Sequence, residues 1–311
     1  MTLAHEIDIS WTVLRRIVKQ WAGDSAELAE VRPLIGGCVN LTLGLKTKDG
    51  QSAVLKICAH RVNHAYAHEV FQLELLRKIG LPAPQVYAWK IGSLDDPYSY
   101  ILMEYLDGVN LSQAKKTCSA DEFDHLQCHL AELVLAMHEQ TAPGYGRVRW
   151  DAAHCEKWPM FFREVYDPML KDVAKSKLLP VKCGRRLQKI HEKLDRILMD
   201  VDRPRLVHWD MWSTNLLAKR NGDGRWHISG ILDPNCKYAH AEAELAYMEL
   251  FHTATPSFFK AYQQRHKLSP DYHQVRKLFY QLYALVNHVH VFGQDYVAPL
   301  IAAEQRVSAV V

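Results

Sequence analysis

Strand-forming patterns in this 311-residue sequence are concentrated in its N-terminal third, and helical patterns dominate the rest. Leu41 to Lys46 alternates in part, Asp49-Gly50 is a strong hairpin signal, and Ser52 to Ile57 is the return strand. Two further strands are predicted at Gln85 to Lys90 and at Tyr100 to Tyr105. This uneven distribution excludes a chain that alternates regularly between strands and helices.

Helical spacing begins early, with apolar residues recurring from Trp11 to Trp21. Beyond Gly108 it becomes the main pattern, and Ser119 with Glu122 has the spacing of a capping box ahead of a long apolar stripe. Further helices are predicted at Ala65 to Ile79, Trp158 to Leu170, Leu187 to Met199 and Leu278 to Phe292. Short strands are predicted at Leu206-Val207, Leu216-Leu217 and Ile228 to Leu232.

A mainly β N-terminal third followed by a mainly α remainder indicates an α+β protein with two lobes. We expect residues 1–105 to form a small, mainly antiparallel β lobe and residues 106–311 to form a larger helical lobe. The chain is long enough for both lobes to bury a sizeable core.

Composition narrows the function classes. The formal net charge of +3 is far from the strongly basic balance of a dedicated nucleic-acid binder. The seven cysteines are scattered and odd in number, without a CxxC pair, which argues against a disulfide framework or a zinc knot. The N-terminus lacks the pattern of a secretory signal, and no segment has the apolar length of a membrane span. We expect a cytoplasmic protein with free thiols and neither nucleic-acid nor membrane partners.

The strongest chemical signal is His208-x-Asp210 with Asn215 five residues after the aspartate, followed by Asp233 after the next predicted strand. Phosphoryl transfer depends on positioning and charge neutralisation. An aspartate can orient an acceptor hydroxyl and accept its proton, and asparagine and aspartate oxygens suit Mg²⁺. We therefore predict Asp210 as the catalytic residue, and Asn215 and Asp233 as ligands of the Mg²⁺ that accompanies ATP.

Lys56 lies inside an apolar predicted strand, where a cation is costly unless it meets a partner. In a kinase such a lysine contacts the nucleotide phosphates and pairs with a glutamate on a helix. Glu69 on the next predicted helix is our candidate, with Glu74 as the competing choice. The alternative is an edge-strand lysine that extends its ammonium group to water.

Two weaker segments are candidates for nucleotide binding. Gly36 and Gly37, just before the hairpin, can let backbone N–H groups approach a phosphate closely, and Cys38 would then lie beside the phosphates. At the predicted lobe junction, Glu104 and Leu106 can offer backbone groups to an adenine ring. A plain turn and an ordinary strand end are the alternatives.

Taken together, these residues resemble the aminoglycoside phosphotransferase and choline kinase superfamily, which has a protein-kinase-like fold, and within it the fructosamine kinase family. The resemblance covers roughly residues 30–297 and rests on Gly36-Gly37-Cys38, His208-x-Asp210-x-Trp212-x-x-Asn215 and Asp233-Pro234 with Tyr238-x-His240-x-Glu242-x-Glu244-Leu245-Ala246.

The resemblance implies that Lys56 binds phosphate and that Glu69 holds Lys56 in place. It also makes Trp212 a candidate platform for the apolar face of a sugar-like acceptor, although core packing is the alternative. The sequence departs from the family at Trp209, where a glycine is usual. It also departs in the stretch 145–158, which lacks the expected Gln-x-Asn segment.

These features predict a kinase that transfers the γ-phosphoryl group of ATP to a hydroxyl of a small molecule, namely a fructosamine-like sugar amine or an amino alcohol. Glu242 and Glu244 are candidates for attracting a cationic amine, with solvated helix faces or caps as the alternative. An aminoglycoside phosphotransferase, and a catalytically silent nucleotide-binding module, are the competing functions. Protein phosphorylation is disfavoured because no APE-like anchor follows Asp233.

Overall fold

The structure is a computed structural model that describes residues 9–34, 41–58, 65–199 and 201–311. Its contacts divide the chain into two compact units. The first comprises Met1–Thr117 and Thr214–Pro234, and the second comprises Cys118–Ser213 and Asn235–Val311. The division proposed from the sequence, at residue 105, stays a prediction.

The described part of the chain contains the following strands and helices. The strands are β1 (Leu28–Pro33), β2 (Leu41–Thr47), β3 (Ser52–Cys58), β4 (Val86–Lys90), β5 (Ser99–Glu104), β6 (Val109–Asn110), β7 (Gly146–Arg147), β8 (Arg205–Val207), β9 (Leu216–Arg220), β10 (Trp226–Ile231) and β11 (Lys237–Ala239). The helices are α1 (Trp11–Ala22), α2 (Ala65–Lys78), α3 (Leu111–Thr117), α4 (Ala120–His138), α5 (Trp158–Lys175), α6 (Val181–Glu192), α7 (Leu194–Ile197), α8 (Ala241–Leu250), α9 (Pro256–Tyr262), α10 (Lys277–Phe292) and α11 (Val297–Ser308). A π-helical turn (Tyr272–Arg276) precedes α10 and a 3-10 turn (Gly293–Tyr296) follows it.

The first unit is built on an antiparallel sheet whose described strands lie in the order β1-β2-β3-β5-β4. The β2–β3 hairpin turns at Gly50, whose φ of +92° suits glycine. Alternate residues of β3, including Leu55 and Ile57, are fully buried, and Ile17 and Val18 of α1 join the same hydrophobic cluster. The predicted hairpin is therefore confirmed, with a helix packed on the core face of the sheet.

Strand β1 was not predicted, because its exposed residues give no clear alternation. It is the edge strand of the sheet, pairs with β2, and ends at Pro33. A proline is tolerated there because an edge strand leaves some backbone donors unpaired. The first unit also contains a small sheet of β10, β9 and β6.

The second unit is mainly helical, and its described strands form one small sheet in the order β7-β11-β8. Helix α10 is buried along most of its length. The predicted bounds of one helix were wrong: instead of Leu187 to Met199, α6 already begins at Val181 and ends at Glu192. Pro180 occupies its N-cap, and a proline can start a helix because the first N–H groups have no partner within the helix.

An antiparallel β region followed by a helical region confirms the predicted α+β fold class. Within the described ranges, every helix is too short or too polar to cross a lipid bilayer. The cytoplasmic location stays a prediction.

The predicted capping box is present at the N-terminus of α4. The Glu122 N–H donates to Ser119 Oγ (3.2 Å), and the Ser119 N–H donates to Glu122 Oε2 (2.9 Å). We expect Ser119→Ala to lower the free energy of unfolding by about 1 kcal/mol, because one helix-terminal N–H loses its partner. Urea denaturation would measure this change. Ser52→Ala, at an exposed strand position, is the control and should change the free energy of unfolding by less than about 0.5 kcal/mol. Equal effects of both substitutions would contradict a stabilising cap.

Candidate active site

In the first unit, Lys56 on β3 forms ion pairs with two carboxylates. Its Nζ lies 2.5 Å from Glu69 Oε1 on α2 and also contacts Asp233 Oδ1. The side chains of Lys56 and Glu69 are only 12% and 15% exposed. The competing candidate, Glu74, is exposed on the same helix. The lysine is therefore held between a helix and the loop after β10.

Burial and charge act in opposite directions on this cluster. Burial alone would lower the pKa of Lys56, but the neighbouring charges of Glu69 and Asp233 outweigh it and raise the pKa above its usual value. Burial raises the pKa of Glu69, and the positive charge of Lys56 opposes that rise. Lys56 thus stays a cation at neutral pH in a largely buried place, which suits a group that contacts phosphate.

Asn215 and Asp233 are brought together by backbone pairing at the end of the β9–β10 hairpin. The Leu232 N–H donates to the carbonyl oxygen of Asn215 at 2.8 Å. Asp233 has a φ of +54°, the left-handed region that is uncommon for residues other than glycine. A carboxylate and a carboxamide are the oxygen donors that Mg²⁺ prefers, so the two residues fit this ion.

The segment after β5 is fixed by hydrogen bonds at Glu104 on one side and by close packing at Gly108 on the other. The Glu104 N–H donates to the Gln85 carbonyl (2.8 Å), and Glu104 Oε2 accepts from the Gln85 N–H (3.0 Å). Leu106 is half-buried. At Gly108 φ is +145°, and a Cβ there would lie 2.8 Å from the Ala218 carbonyl oxygen, so only glycine fits. The predicted phosphate-binding Gly36 and Gly37, and Cys38 beside them, lie outside the described residues.

In the second unit, Asp210 is oriented by Tyr247 of α8. The tyrosine hydroxyl donates to Asp210 Oδ1 at 2.8 Å. Burial first, and then the charge of Asp210, raise the pKa of Tyr247, so its hydroxyl remains a donor at physiological pH. Trp212 is 39% exposed. Its backbone N–H donates to the backbone carbonyl oxygen of Asp210 at 3.1 Å.

A buried chain of hydrogen bonds supports the backbone beside Asp210. The Trp209 N–H donates to Glu244 Oε1 at 2.8 Å, and Glu244 Oε2 lies 2.9 Å from His138 Nε2. The other ring nitrogen of His138 lies 2.9 Å from the hydroxyl of Tyr262. Both Glu244 and His138 are almost fully buried.

Glu242 and Glu244 were candidates for attracting a cationic acceptor, with a solvated helix face or a cap as the alternative. Glu242 instead receives hydrogen bonds from Arg276 Nε (2.6 Å) and Nη2 (3.0 Å), and both oxygens of Glu244 are engaged as described above. Their contacts favour a structural role, because a carboxylate with both oxygens engaged attracts a distant ligand weakly. A direct contact with the acceptor stays a prediction.

Trp209 adopts an unusual backbone conformation, with a φ of +68°. A side chain in the left-handed region costs about 1–2 kcal/mol, which explains why glycine suits this position. The Trp209 ring packs edge-on against Trp158, with centroids 6.3 Å apart, and against Tyr166. The ammonium group of Lys237 lies 4.8 Å from the Trp209 ring centroid, a cation–π contact.

Tyr247 and Lys237 were not predicted from the sequence. Tyr247 lies three residues after Glu244 on α8, so the spacing of the two residues on one helix face was an available signal. Lys237 lies on β11, whose two neighbours are distant in sequence, and no local pattern marks it as buried.

Comparison with known proteins identifies the family. The family model for fructosamine kinase matches residues 10–308. The chain belongs to the fructosamine kinase family. It is therefore a phosphotransferase of the kinase class, and the resemblance seen in its sequence is confirmed.

Individual proteins agree with this assignment. A probable ketoamine kinase of Enterococcus faecium is 27% identical over 280 residues, which cover 86% of this chain and 91% of that protein. The crystal structure of a Thermobifida fusca protein assigned as a fructosamine-3-kinase matches with a TM-score of 0.75 at 22% identity, over 96% of this chain and 99% of that one. A thermostable mutant of an aminoglycoside phosphotransferase, crystallised with AMP-PNP and hygromycin B, matches with a TM-score of 0.68 at 17% identity, over 96% and 98% of the two chains. These likenesses confirm the protein-kinase-like fold.

Lys237 should make stability depend on pH in a specific way. Burial first, and then the charge of Arg147, lower its pKa to about 7, whereas an unfolded lysine has a pKa of about 10.4. Between these values the unfolded chain binds more protons, so stability should rise with pH, by at most about 1.4 kcal/mol per pH unit. We expect Lys237→Met to remove this rise in urea denaturation measured from pH 6.5 to 9.5. Lys260→Met, at an exposed position, should keep it. Parallel pH profiles for wild type and Lys237→Met would disprove the depressed pKa.

Proposed function

We propose that this protein is an ATP-dependent kinase that phosphorylates a hydroxyl group of a ketoamine, that is, a fructosamine-like sugar amine. The observation that carries the proposal is the bridging of Glu69 and Asp233 by Lys56 in the first unit. A largely buried cation between a helix carboxylate and a candidate metal-binding carboxylate is the arrangement that a kinase uses on nucleotide phosphates.

Each candidate site residue of the first unit has a distinct role in this proposal. Lys56 binds the phosphates of ATP, and Glu69 holds the lysine in position. Asn215 and Asp233 would hold Mg²⁺, which supplies positive charge that neutralises the phosphate oxygens. Glu104 and Leu106 offer backbone groups to the adenine ring. The glycines 36 and 37 are proposed to approach the phosphates.

Asp210 acts on the acceptor. Its carboxylate orients the acceptor hydroxyl and accepts the hydroxyl proton, while the Tyr247 hydrogen bond restricts the rotation of that carboxylate. The acceptor oxygen forms the new bond to the γ-phosphorus, and the bond from that phosphorus to the bridging oxygen of ADP breaks. ADP and the phosphorylated ketoamine are the products.

The ketoamine acceptor is supported by the family and by the E. faecium relative, which bears the name of a ketoamine kinase. We propose that the exposed Trp212, two residues from Asp210, offers a flat surface to the sugar. The Thermobifida protein's assignment as a 3-kinase suggests the hydroxyl on C3 as the one that reacts.

The decisive experiment is a turnover screen with magnesium and ATP against four acceptor classes. Fructosyl amines, glycated lysine, amino alcohols and aminoglycosides should be tested beside Asp210→Asn. We expect turnover with the fructosyl amines, and a loss of at least about 1,000-fold in kcat in the variant, because the hydroxyl loses the group that orients it and takes its proton. ATP should bind the variant with an affinity within about threefold of wild type.

Other outcomes separate the competing functions. Turnover with aminoglycosides alone would identify an aminoglycoside phosphotransferase. Tight binding of magnesium and ATP without turnover on any hydroxyl compound would indicate a catalytically silent module. Retained turnover in Asp210→Asn would move the catalytic role away from this residue.

A pair of glutamates on α2 tests the role of Lys56. We expect Glu69→Gln to raise the KM for ATP and lower kcat, together reducing kcat/KM by about 10- to 100-fold, because Lys56 loses one of its two charged partners. Glu74→Gln, an exposed position on the same helix, is the matched control and should leave both constants within about twofold. Steady-state kinetics with ATP varied at a saturating ketoamine would measure them. Equal effects at both positions would contradict a specific role for the Lys56–Glu69 pair.

A further inference from the structure

The aromatic pocket is a small cavity in the second unit, next to Asp210. Tyr247 lines it and donates a hydrogen bond to Asp210 Oδ1, so one wall contacts the predicted catalytic carboxylate. A group bound in the pocket would be close to a hydroxyl that meets Asp210. The walls include Phe162, Tyr166, Trp209, Tyr247, Tyr280 and Asn287.

The size of the aromatic pocket limits the group that it can take. Its volume is about 30 Å³, and roughly 10–15 Å³ is enough for one water molecule. The pocket therefore has room for one hydroxyl group with its carbon atom, and it is too small for a ring. Polar and apolar atoms both line it, which suits a hydroxyl group on a carbon skeleton.

Trp209 closes one side of the aromatic pocket. Its φ of +68° is a conformation that glycine adopts freely, and a glycine here would leave this part of the wall without a side chain. The indole packs against Trp158 and Tyr166, with ring centroids 6.3 and 6.4 Å away. The tryptophan therefore keeps the pocket small.

Two polar residues of the wall are already engaged with protein partners. The Tyr280 hydroxyl lies 3.0 Å from Trp158 Nε1 and 2.8 Å from His240 Nδ1. Both carboxylate oxygens of Glu244, which also lines the pocket, are engaged as described above. These residues support the wall and have little capacity left for a ligand.

Tyr166 of α5 and Asn287 of α10 differ from them. Within the described ranges, no residue forms a hydrogen bond with the Tyr166 hydroxyl or with the Asn287 carboxamide. Tyr166 is only 6% exposed, and Asn287 is half-buried. Burial raises the pKa of Tyr166, so its hydroxyl stays protonated and can donate. Buried polar groups of native proteins nearly always have a partner, so these two indicate a polar group that enters the pocket.

The chemistry of these two residues matches a hydroxyl group. A phenol hydroxyl and a carboxamide can each donate and accept a hydrogen bond, so a sugar hydroxyl between them can bond to both. Because Tyr247 links the pocket to Asp210, that hydroxyl is a close neighbour of the reacting one. With reaction on C3, as suggested above, the next hydroxyl along the sugar is on C4.

We propose that the aromatic pocket binds the C4 hydroxyl group of the ketoamine, and that Tyr166 and Asn287 are its hydrogen-bond partners. The inference rests on the proposed function and narrows its substrate class. Ketoamines with a hydroxyl group next to the reacting one are the preferred acceptors, ahead of amino alcohols that lack it.

Kinetics with fructosyl-lysine and its 4-deoxy and 5-deoxy analogues test the inference in the wild-type protein. We expect kcat/KM for the 4-deoxy analogue to be at least about tenfold below that for fructosyl-lysine, because Tyr166 and Asn287 are left without their partner. The 5-deoxy analogue, altered one carbon further away, should stay within about threefold of fructosyl-lysine. NMR spectra of the product would locate the phosphate group.

Tyr166→Phe and Asn287→Leu remove the two polar groups with little change in size. Each should lower kcat/KM for fructosyl-lysine by about five- to tenfold and leave kcat/KM for the 4-deoxy analogue within about twofold, since that contact is already absent. A merely structural role would lower both values equally. Tyr87→Phe, at a 38% exposed position in the first unit, is the matched control and should change neither. Urea denaturation would show whether each variant is folded, and the wild-type ratios test the proposal without the variants.

The outcomes distinguish this inference from the proposed function. If the wild type phosphorylates neither fructosyl-lysine nor its analogues, the ketoamine kinase function itself fails. If fructosyl-lysine and the 4-deoxy analogue react equally well, the pocket holds only a water molecule, and the inference alone is wrong. Phosphate on a carbon other than C3, or equal losses for both substrates in the two variants, would also overturn it.

Discussion

The ammonium group of Lys56 imposes the main constraint on the first unit. A largely buried cation needs carboxylate partners, and here they come from α2 and from the loop after β10. Removing one partner of a buried ion pair typically costs about 3–5 kcal/mol, because the remaining charge is left without compensation. One side chain therefore holds together β3, the nearby helix α2, and a loop that lies 177 residues further along the chain than Lys56. We propose that the same cation binds the nucleotide phosphates, in which case stability and chemistry depend on the same contacts.

In the second unit, the main constraint is the unfavourable backbone conformation of Trp209, next to Asp210. The left-handed Trp209 costs about 1–2 kcal/mol, and the hydrogen bond from its N–H to the buried Glu244 offsets part of that cost. His138 and Tyr262 extend this support into the core. A residue with a strained backbone persists only where its surroundings fix it, and the aromatic packing of Trp209 contributes to that fixation.

The sequence predicted those parts of the molecule that depend on local patterns. The hairpin at Gly50, the capping box at Ser119 and the pairing of Lys56 with Glu69 follow from turn chemistry, cap spacing and the cost of a lysine in an apolar strand. Strand β1 was missed because an exposed edge strand has little apolar alternation. Tyr247 and Lys237 were missed because their importance comes from contacts with residues of other segments. The predicted bounds of α6 were wrong for a local reason. The helix begins directly after Pro180, before its apolar stripe is evident in the sequence.

This difference between local and distant signals also explains why the reaction is easier to infer than the acceptor. Asp210, Asn215 and Asp233 lie within 24 residues of one another in the chain and form a recognisable motif. The aromatic pocket combines side chains from α5, α8 and α10 with Trp209, and no single segment contains its pattern. Substitutions on any of those helices can alter the pocket while the motif and the chemistry remain unchanged. Trp209 belongs to both sets, because it directly precedes Asp210 in the proposed catalytic motif and its ring lines the pocket. The side chain at position 209 therefore shapes the pocket directly, whereas the proposed catalytic carboxylate belongs to the next residue in the chain.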